Sequence, residues 1–301
     1  MRVVHLNGTT AFLISKPLQL MISLLVLRQL HLDVIPVFLV TNSFRGAKDI
    51  AGRLNAVYPN QVEAPFFETQ AEAYSYLGEK RLAHVFIDSD VGFQKAFTLA
   101  RLKQLSRGNR IYVFEEGLGT YRDDLYRGLK ARVFSALGIA TRFGASRFVD
   151  KVFLLTSDEY VEKFPDLATK AIKISGSLSD FMSEEHENLR LVFGFAGVAT
   201  PSHDRKEVCH LYLTSWSVDE DFLDNFSRLP GDLFIKAHPH IKTDILPRGI
   251  EAIDAGIPAE LAIVELLRYY EAVRVFDHMS STRRYITSQR ASFQDANAVS
   301  W

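Results

Sequence analysis

Short apolar runs alternate with helical patterns along most of this chain, and this alternation restricts the fold more than any other feature. Runs such as 33–41 and 84–87 have the length and the Val, Ile and Phe content of buried strands. Segments with helical periodicity, such as 16–29, 47–58 and 94–106, separate them. Strands that alternate with helices form parallel sheets covered by helices. The sequence therefore predicts an α/β protein.

The alternation occurs twice along the chain. It weakens between residues 164 and 180, and a shorter series of strands and helices follows. A length of 301 residues suits two such layers. We predict an N-terminal Rossmann-like domain over 1–165 and a C-terminal one over 166–301, facing each other across a central cleft in the GT-B architecture.

Three local predictions complete this interpretation of the chain. Residues 2–6 are predicted to form the first strand of the N-terminal sheet. Residues 283–288 are predicted to begin a late helix, and 292–301 to form a polar, weakly structured tail.

Composition excludes several classes of protein. The net charge of -1 gives no global field for nucleic acid, so no nucleic-acid partner is expected. The single cysteine, Cys209, excludes an internal disulfide framework and indicates a reducing, cytoplasmic location. No apolar stretch approaches the roughly 20 residues of a membrane-spanning helix, and the first residues lack the layout of a secretory signal.

One segment, 125–148, is both basic and apolar, and it contains no acidic residue. It could make peripheral contact with the inner membrane or hold an anionic acceptor, but an ordinary solvated helix face is the preferred interpretation.

Signatures of phosphate-binding loops are missing from the sequence. There is no Walker A motif and no Gly-x-Gly-x-x-Gly, which argues against P-loop and typical dinucleotide chemistry. The run Asp88-Ser89-Asp90 superficially resembles a metal-binding Asp-x-Asp motif, and we assign it no metal. No cofactor and no metal are expected.

Two adjacent acids follow the predicted strand that ends at Phe114. In Glu115-Glu116-Gly117, burial and mutual repulsion would raise the pKa of one carboxyl group, which suits a general base near neutral pH. Gly117 permits a tight turn and close approach of a substrate to the backbone. The competing interpretation is a solvated loop whose acids cap the next helix.

A histidine follows a second strand, 232–236, in the C-terminal half. Pro239 biases His238 toward an extended backbone, and an imidazole at this position can hydrogen-bond or protonate a phosphate oxygen. Lys236 ends the same strand. A structural histidine is the alternative.

Hydroxyl groups follow a third strand, 273–276. Ser280 and Ser281 precede a helical segment, where hydroxyls and free N–H groups can bind an anion or simply cap the helix. Glu260 stands in the first turn of another predicted helix, where the helix dipole favours it and where it could accept hydrogen bonds from a ribose or a base.

Taken in order, these motifs resemble those of bacterial sialyltransferases of the lipooligosaccharide and polysialic-acid types. Those enzymes carry a D/E-D/E-G motif, an HP motif and a later Ser/Thr pair, with a TPLQ-like opening and a Pro-x-Glu stretch. Two features depart from that pattern: Lys16 replaces a small residue in the opening, and the chain is short for a polymerising enzyme. The matching residues are Glu115-Glu116-Gly117, His238-Pro239, Ser280-Ser281, Ser15-Lys16-Pro17-Leu18-Gln19 and Ile257-Pro258-Ala259-Glu260.

The resemblance implies an inverting, metal-independent glycosyltransferase with CMP-sialic acid as its donor substrate. It implies that Glu115 or Glu116 deprotonates the acceptor, with Glu115 slightly preferred, and that His238 assists departure of the CMP phosphate. The CMP site would comprise Lys236, Pro239, Glu260, Ser280 and Ser281, and the acceptor side Gly117, Gln19 and Asn7.

The acceptor implied by the resemblance is a hydroxyl group, such as that of galactose, on a bacterial surface glycan that can be lipid-linked. Lipopolysaccharide, O-antigen and capsule are the glycans concerned. Two alternatives remain open: transfer of another CMP-activated nonulosonic acid or Kdo, and a non-catalytic GT-B-like protein of glycan assembly.

Overall fold

The computed structural model describes residues 4–80, 82–105, 108–198, 206–238 and 249–299. The chain divides into two compact units, Met1–Gly176 and Ser177–Trp301. The predicted domain boundary, after residue 165, lies before this division. The short strand Ala171–Lys173 follows residue 165 but belongs to the first unit, because it pairs in parallel with the strand Lys151–Leu154.

The first unit contains strands and helices in close alternation. Its strands are β1 Val4–Leu6, β2 Thr10–Ile14, β3 Leu30–Leu32, β4 Val37–Thr41, β5 Phe66–Phe67, β6 His84–Ile87, β7 Arg110–Phe114, β8 Lys151–Leu154 and β9 Ala171–Lys173. Its helices are α1 Pro17–Gln29, α2 Ala47–Val57, α3 Gln70–Glu79, α4 Phe93–Leu105, α5 Gly128–Ala136 and α6 Ser157–Lys163, with 3₁₀ turns at Leu118–Tyr121 and Pro165–Lys170.

A seven-stranded parallel sheet forms the centre of this unit, in the order β5-β4-β2-β6-β7-β8-β9. Its middle strands are buried throughout, as expected for parallel strands covered on both faces. The rings of Phe12, Phe38 and Phe86 stack across β4, β2 and β6. From β2, the next strands of this sheet in the sequence, β4 and β5, are added on one side of β2. The chain then crosses back, and β6 to β9 are added on the other side. The switch point of the sheet is therefore between β2 and β6.

The prediction for the first strand was wrong in one respect. β1 pairs with β3 in a separate two-stranded ribbon, and the central strand of the main sheet is β2, which the sequence analysis did not identify. Gly8, with φ of +97°, separates β1 from β2 and turns the chain between them.

The second unit repeats the architecture with a smaller sheet. Its strands are β10 Lys206–Leu213, β11 Asp232–Lys236, β12 Ile250–Ile253, β13 Tyr270–Asp277 and β14 Ala291–Asp295. Its helices are α7 Leu178–Glu184, α8 His186–Phe193, α9 Glu220–Phe226, α10 Ala259–Tyr269 and α11 Thr282–Tyr285, with a 3₁₀ turn at Ala296–Ala298.

The sheet of the second unit is parallel, in the order β12-β11-β10-β13-β14. Its switch point is between β10 and β13. Aromatic residues fill the core on one side, where Tyr212, Phe222, Phe226 and Phe276 are in mutual ring contact. The predicted α/β class with two successive Rossmann-like units is confirmed.

Two predictions at the C-terminal end need correction. The predicted tail begins inside β14, whose backbone pairs with β13 from Ala291 to Asp295. Its residues alternate between half-buried and exposed, so an edge strand of this composition resembles a polar tail in sequence. The helix predicted at 283–288 is the single turn of α11.

Across the residues that the structure describes, no helix combines the length and the apolar character that a bilayer crossing requires.

Candidate active site

Polar side chains meet at the switch point of the first sheet. Ser15 follows β2 and Asp88 follows β6, and the Ser15 hydroxyl donates to Asp88 Oδ2 over 3.1 Å. Lys95 on α4 donates to Asp88 Oδ1 over 2.7 Å. Ligands of open parallel sheets bind at this edge, where adjacent crossovers leave a crevice. The geometry therefore puts a polar, partly buried cluster at the expected position.

Lys95 supplies a stable positive charge to this cluster. It also donates to the Tyr74 hydroxyl over 2.9 Å. Burial opposes the charge of Lys95, but Tyr74 and Asp88 together raise the pKa of the ammonium group above its usual range. Burial, reinforced by the negative charge of Asp88, raises the pKa of Tyr74 to about 12. Lys95 therefore stays protonated at neutral pH.

The two glutamates after β7 occupy different environments. Glu115 is 0% exposed, and its Oε2 accepts hydrogen bonds from the Tyr121 hydroxyl at 2.6 Å and the Leu155 N–H at 2.7 Å. Tyr121 in turn accepts from Thr156 over 2.6 Å. Glu115 therefore ties the turn after β7 to the residues after β8, and its carboxylate is held inside the protein.

Glu116 points to the cluster at the switch point. Its side chain is 17% exposed, and Oε2 lies 3.1 Å from Lys16 Nζ and 3.4 Å from Gln19 Nε2. Burial raises the pKa of Glu116, although the charge of Lys16 opposes the shift. A carboxylate with a raised pKa and partial access to solvent can act as a general base.

Gln19 positions the Glu116 carboxylate. Its side chain is buried in the first turn of α1, and its Oε1 accepts from the N–H of Ser15 at 2.9 Å and lies 2.9 Å from the Ser15 hydroxyl oxygen. With its oxygen held this way, the amide nitrogen is directed toward Glu116.

Gly117 turns the chain immediately after Glu116. Its φ of +114° and ψ of -154° are accessible to glycine and strained for other residues. The 3₁₀ turn Leu118–Tyr121 follows, and the Thr120 hydroxyl accepts from the Glu116 N–H over 2.9 Å. This turn fixes the direction of the Glu116 side chain.

Asn7 is not part of this edge, which corrects the prediction for it. It precedes β2, and its carbonyl oxygen lies 3.2 Å from Nε2 of His84, the first residue of β6. Because all strands of the sheet are parallel, Asn7 lies at the amino edge, opposite the edge that carries Glu116. The error follows from taking β1 as the first strand of the main sheet.

The carboxyl edge of the second sheet carries an aromatic pair. The His238 ring lies 4.4 Å from the Trp216 ring, between centroids, at an interplanar angle of 34°. The N–H of His238 donates to the Thr214 hydroxyl over 2.9 Å, which joins the ends of β10 and β11. Trp216 is 74% exposed, so the pair offers a flat aromatic surface to solvent.

Two buried ionisable groups lie at the same edge. Lys236 ends β11 with its ammonium group 3.4 Å from the carbonyl oxygens of Ala237 and Ala255. Burial lowers the pKa of Lys236 to about 8, although the charge of Glu260 opposes the shift. Burial likewise raises the pKa of Glu260, in the first turn of α10. Strongly perturbed groups of this kind are typical of ligand-binding positions.

A chain of hydroxyl groups connects the turn after β13 to Glu260. Ser280 Oγ donates to Thr282 Oγ1 over 2.9 Å, and Thr282 Oγ1 donates to Glu260 Oε1 over 3.0 Å. Ser281 occupies the cap position of α11 without a side-chain capping hydrogen bond. Ser280 and Glu260 are thus in one network, and Thr282, which was not among the predicted site residues, links them.

The turn also contains a buried acid. Asp277 Oδ1 accepts from Arg283 Nη2 at 2.8 Å and from the Ser280 N–H at 3.3 Å. Within the described part of the chain, Asp277 Oδ2 has no hydrogen-bond partner. The Arg283 guanidinium, 42% exposed, therefore stands beside the hydroxyl chain with donors available for an anion.

Some predicted site residues are not brought together, and some functional candidates were missed. Pro239 lies outside the described residues. Trp216 lies in the segment after β10, and Arg283 lies in α11, the helix after β13, so a search of the residues that follow these two strands would have found them. Lys95 and Tyr74 are helical residues without any sequence signal of this kind.

The Asp88-Ser89-Asp90 run has structural partners. Asp88 pairs with Lys95, and Asp90 is buried, accepting from the N–H groups of Gly144 and Ser146 at 2.9 and 2.8 Å. Burial raises the pKa of Asp90. In the regions that the structure covers, no group of three or more His, Cys, Asp or Glu side chains has the arrangement of a metal site.

No family model matches the sequence, and no curated protein matches it. Among solved structures, the chain is similar to CalG4, the calicheamicin glycosyltransferase, with 11% identity, a TM-score of 0.45, and coverage of 95% of this chain and 77% of that one. It is also similar to apo D-lactate dehydrogenase from Escherichia coli, with 13% identity, a TM-score of 0.22, and coverage of 87% and 90%.

Proposed function

We propose that this chain is an inverting glycosyltransferase of the GT-B class, which transfers sialic acid from CMP-sialic acid to a hydroxyl group of a bacterial surface glycan. The observation that carries the proposal is the position of Glu116 and of His238, each at the carboxyl edge of its own parallel sheet. The order of motifs that resembles the bacterial sialyltransferases supports the choice of donor.

In the proposed reaction, Glu116 is the base. Its carboxylate takes the proton of the acceptor hydroxyl while that oxygen attacks the anomeric carbon of the sugar. The raised pKa of Glu116 suits proton transfer near neutral pH, and its partial exposure gives a substrate access to it. The buried Glu115 carboxylate, held by Tyr121 and Leu155, is better suited to positioning the turn.

The second unit would bind CMP and stabilise its departure. As the bond between the anomeric carbon and the phosphate oxygen breaks, His238 donates a hydrogen bond or a proton to that oxygen. Ser280, Ser281 and Arg283 supply further donors for the phosphate, and Trp216 offers a ring on which cytosine can stack. Glu260 would accept from the ribose hydroxyls or the base amine.

The test is an assay of CMP release from CMP-sialic acid in the presence of galactoside acceptors. We expect release by the wild type, a fall of at least about a hundredfold with His238→Ala, and no change with the exposed control His31→Ala. No release by the wild type across a broad acceptor panel, or equal release by His238→Ala, would sink the proposal. Faster release from CMP-Kdo than from CMP-sialic acid would reassign the donor.

Metal independence is part of the proposal. Because cationic and hydroxyl donors are proposed to neutralise the departing phosphate, EDTA should leave the rate of CMP release unchanged. Loss of activity with EDTA and its recovery on adding Mg²⁺ would contradict this assignment.

A further inference from the structure

Helix α5 exposes an apolar face that no described residue of its own unit covers. No residue of α5 is buried, and Leu129, Val133 and Leu137 at its C-cap are 77%, 45% and 68% exposed. These residues are spaced four apart, so their side chains lie on one face of the helix. An apolar stripe on a surface helix normally faces the core. Here it faces outward.

Basic residues flank the stripe on both sides. At about 100° per residue, Lys130 and Arg132 lie on opposite sides of the line through Leu129 and Val133. The Lys130 ammonium lies 4.8 Å from the centre of the Tyr126 ring, which holds it beside the helix. The result is a short amphipathic face with an apolar centre and cationic borders.

The surroundings of α5 preserve this positive charge. The sequence contains no Asp or Glu from residue 125 to residue 149. The nearest preceding acids are already engaged: Asp124 pairs with Arg122 and Arg127, and Asp123 pairs with Lys163. Neither Lys130 nor Arg132 is a partner in these pairs, so the face attracts anions.

We propose that α5 docks on an anionic lipid bilayer, with Leu129, Val133 and Leu137 entering the interface and Lys130 and Arg132 contacting headgroups. Three aliphatic side chains do not supply the roughly 800 Å² that each partner buries in a stable protein interface. They do suit an interfacial helix, whose binding combines a limited apolar area with attraction to acidic lipid. The proposal does not depend on the activity of the two sheet edges.

The experiment measures co-sedimentation of the full-length protein with vesicles of phosphatidylcholine alone or with phosphatidylglycerol added. We expect binding to the anionic vesicles and at least about tenfold weaker binding to the neutral ones. Lys130→Gln with Arg132→Gln should lower partitioning about 25-fold, since each basic residue near an anionic surface contributes about fivefold.

The stripe is tested with the triple variant Leu129→Ser, Val133→Ser, Leu137→Ser, which should bind anionic vesicles at least about tenfold more weakly than the wild type does, because the apolar contribution is lost. Leu191→Ser is the matched control, because Leu191 is an apolar residue 61% exposed on α8, and it should bind like the wild type. Circular dichroism shows whether each variant is folded. If the triple variant does not fold, the double variant of Lys130 and Arg132 still tests the proposal.

Three outcomes would overturn the proposal. The first is unchanged binding of the folded triple variant, and the second is equal binding of the wild type to neutral and anionic vesicles. The third is a lipid-free oligomer, seen by sedimentation velocity, that the triple variant dissociates, because the stripe would then contact a second copy of the chain.

Discussion

The carboxyl edges of the two sheets have the same topology and different chemistry. At the first edge, Asp88 is matched by Lys95 and Glu116 by Lys16, so acids and cations are within hydrogen-bonding distance. At the second edge, the hydrogen bonds of the Lys236 ammonium to described residues go to carbonyl oxygens at 3.4 Å, and Glu260 accepts from a neutral hydroxyl. Burial consequently shifts the pKa of both groups toward their neutral forms.

This difference teaches how one architecture is adapted to two tasks. A parallel sheet provides a crevice at its switch point, and the side chains after each strand decide what that crevice does. At the first edge, ion pairs hold the Glu116 carboxylate that we propose as the base. Incompletely compensated ionisable groups at the second edge are suited to a ligand that brings its own charge.

The largest expected effect concerns the base at the first edge. Glu116→Gln should lower kcat for CMP release by about 10²–10⁴, because the amide cannot accept the acceptor proton. The control is Glu79→Gln, which changes an exposed acid at the end of α3 and should leave kcat unchanged. If Glu116→Gln kept the kcat of the wild type, Glu116 would not be the base, and the proposed chemical difference between the two edges would be wrong.

The second prediction uses pH to test the buried Lys236 at the second edge. The pKa of Lys236 falls from 10.5 to about 8 on folding, which corresponds to about 3 kcal/mol. The native state therefore binds fewer protons than the unfolded state between these pH values, and wild-type stability rises with pH there. Relative to Lys236→Met, the wild type should gain up to about 3 kcal/mol between pH 7 and pH 10.5, measured by urea unfolding. A difference independent of pH would show that Lys236 is solvated.

A smaller effect separates the two adjacent glutamates. Glu115→Gln should lower the free energy of unfolding by about 1.5–3 kcal/mol, because two hydrogen bonds to a buried carboxylate are weakened. Glu116→Gln, whose side chain reaches the surface, should change it by less than about 0.5 kcal/mol. If urea denaturation showed a larger loss of stability for Glu116→Gln than for Glu115→Gln, Glu116 would have the structural role that we assign to Glu115.

The smallest effect concerns the hydroxyl chain of the second edge. Thr282→Val should cost about 1–2 kcal/mol of stability by removing the hydrogen bond to Glu260. Ser281→Ala, the neighbouring cap without a side-chain hydrogen bond, should cost less than about 0.5 kcal/mol. Equal costs in thermal or urea unfolding would mean that Thr282 does not support Glu260.

The sequence indicated several polar residues that follow strand ends, but it did not indicate the environments of their side chains. Glu116 and Lys236 were found because each ends an apolar run, and the carboxyl ends of parallel strands meet at one edge. Which of Glu115 and Glu116 is buried could not be predicted, because a strand covered on both faces lacks the alternation that reveals direction. That choice depends on Tyr121 and Leu155, whose contacts are set by the tertiary fold.

The missed and misplaced elements have a similar origin. β2 at Thr10–Ile14 begins soon after β1 at Val4–Leu6, and the strand prediction fell on the first of these two neighbouring runs. Asn7 was misplaced as a consequence. Lys95 reaches the site from the first turn of α4, and no local pattern in the sequence indicates which helical lysine faces a sheet edge.

The central claim is that the second edge binds CMP while the first supplies the base, and calorimetric titration with CMP tests it most directly. Wild type and Glu116→Gln should bind CMP with Kd values equal within about twofold, while His238→Ala should bind about tenfold more weakly through loss of a phosphate contact. Absence of CMP binding by the wild type, or equal weakening by Glu116→Gln and His238→Ala, would contradict the account.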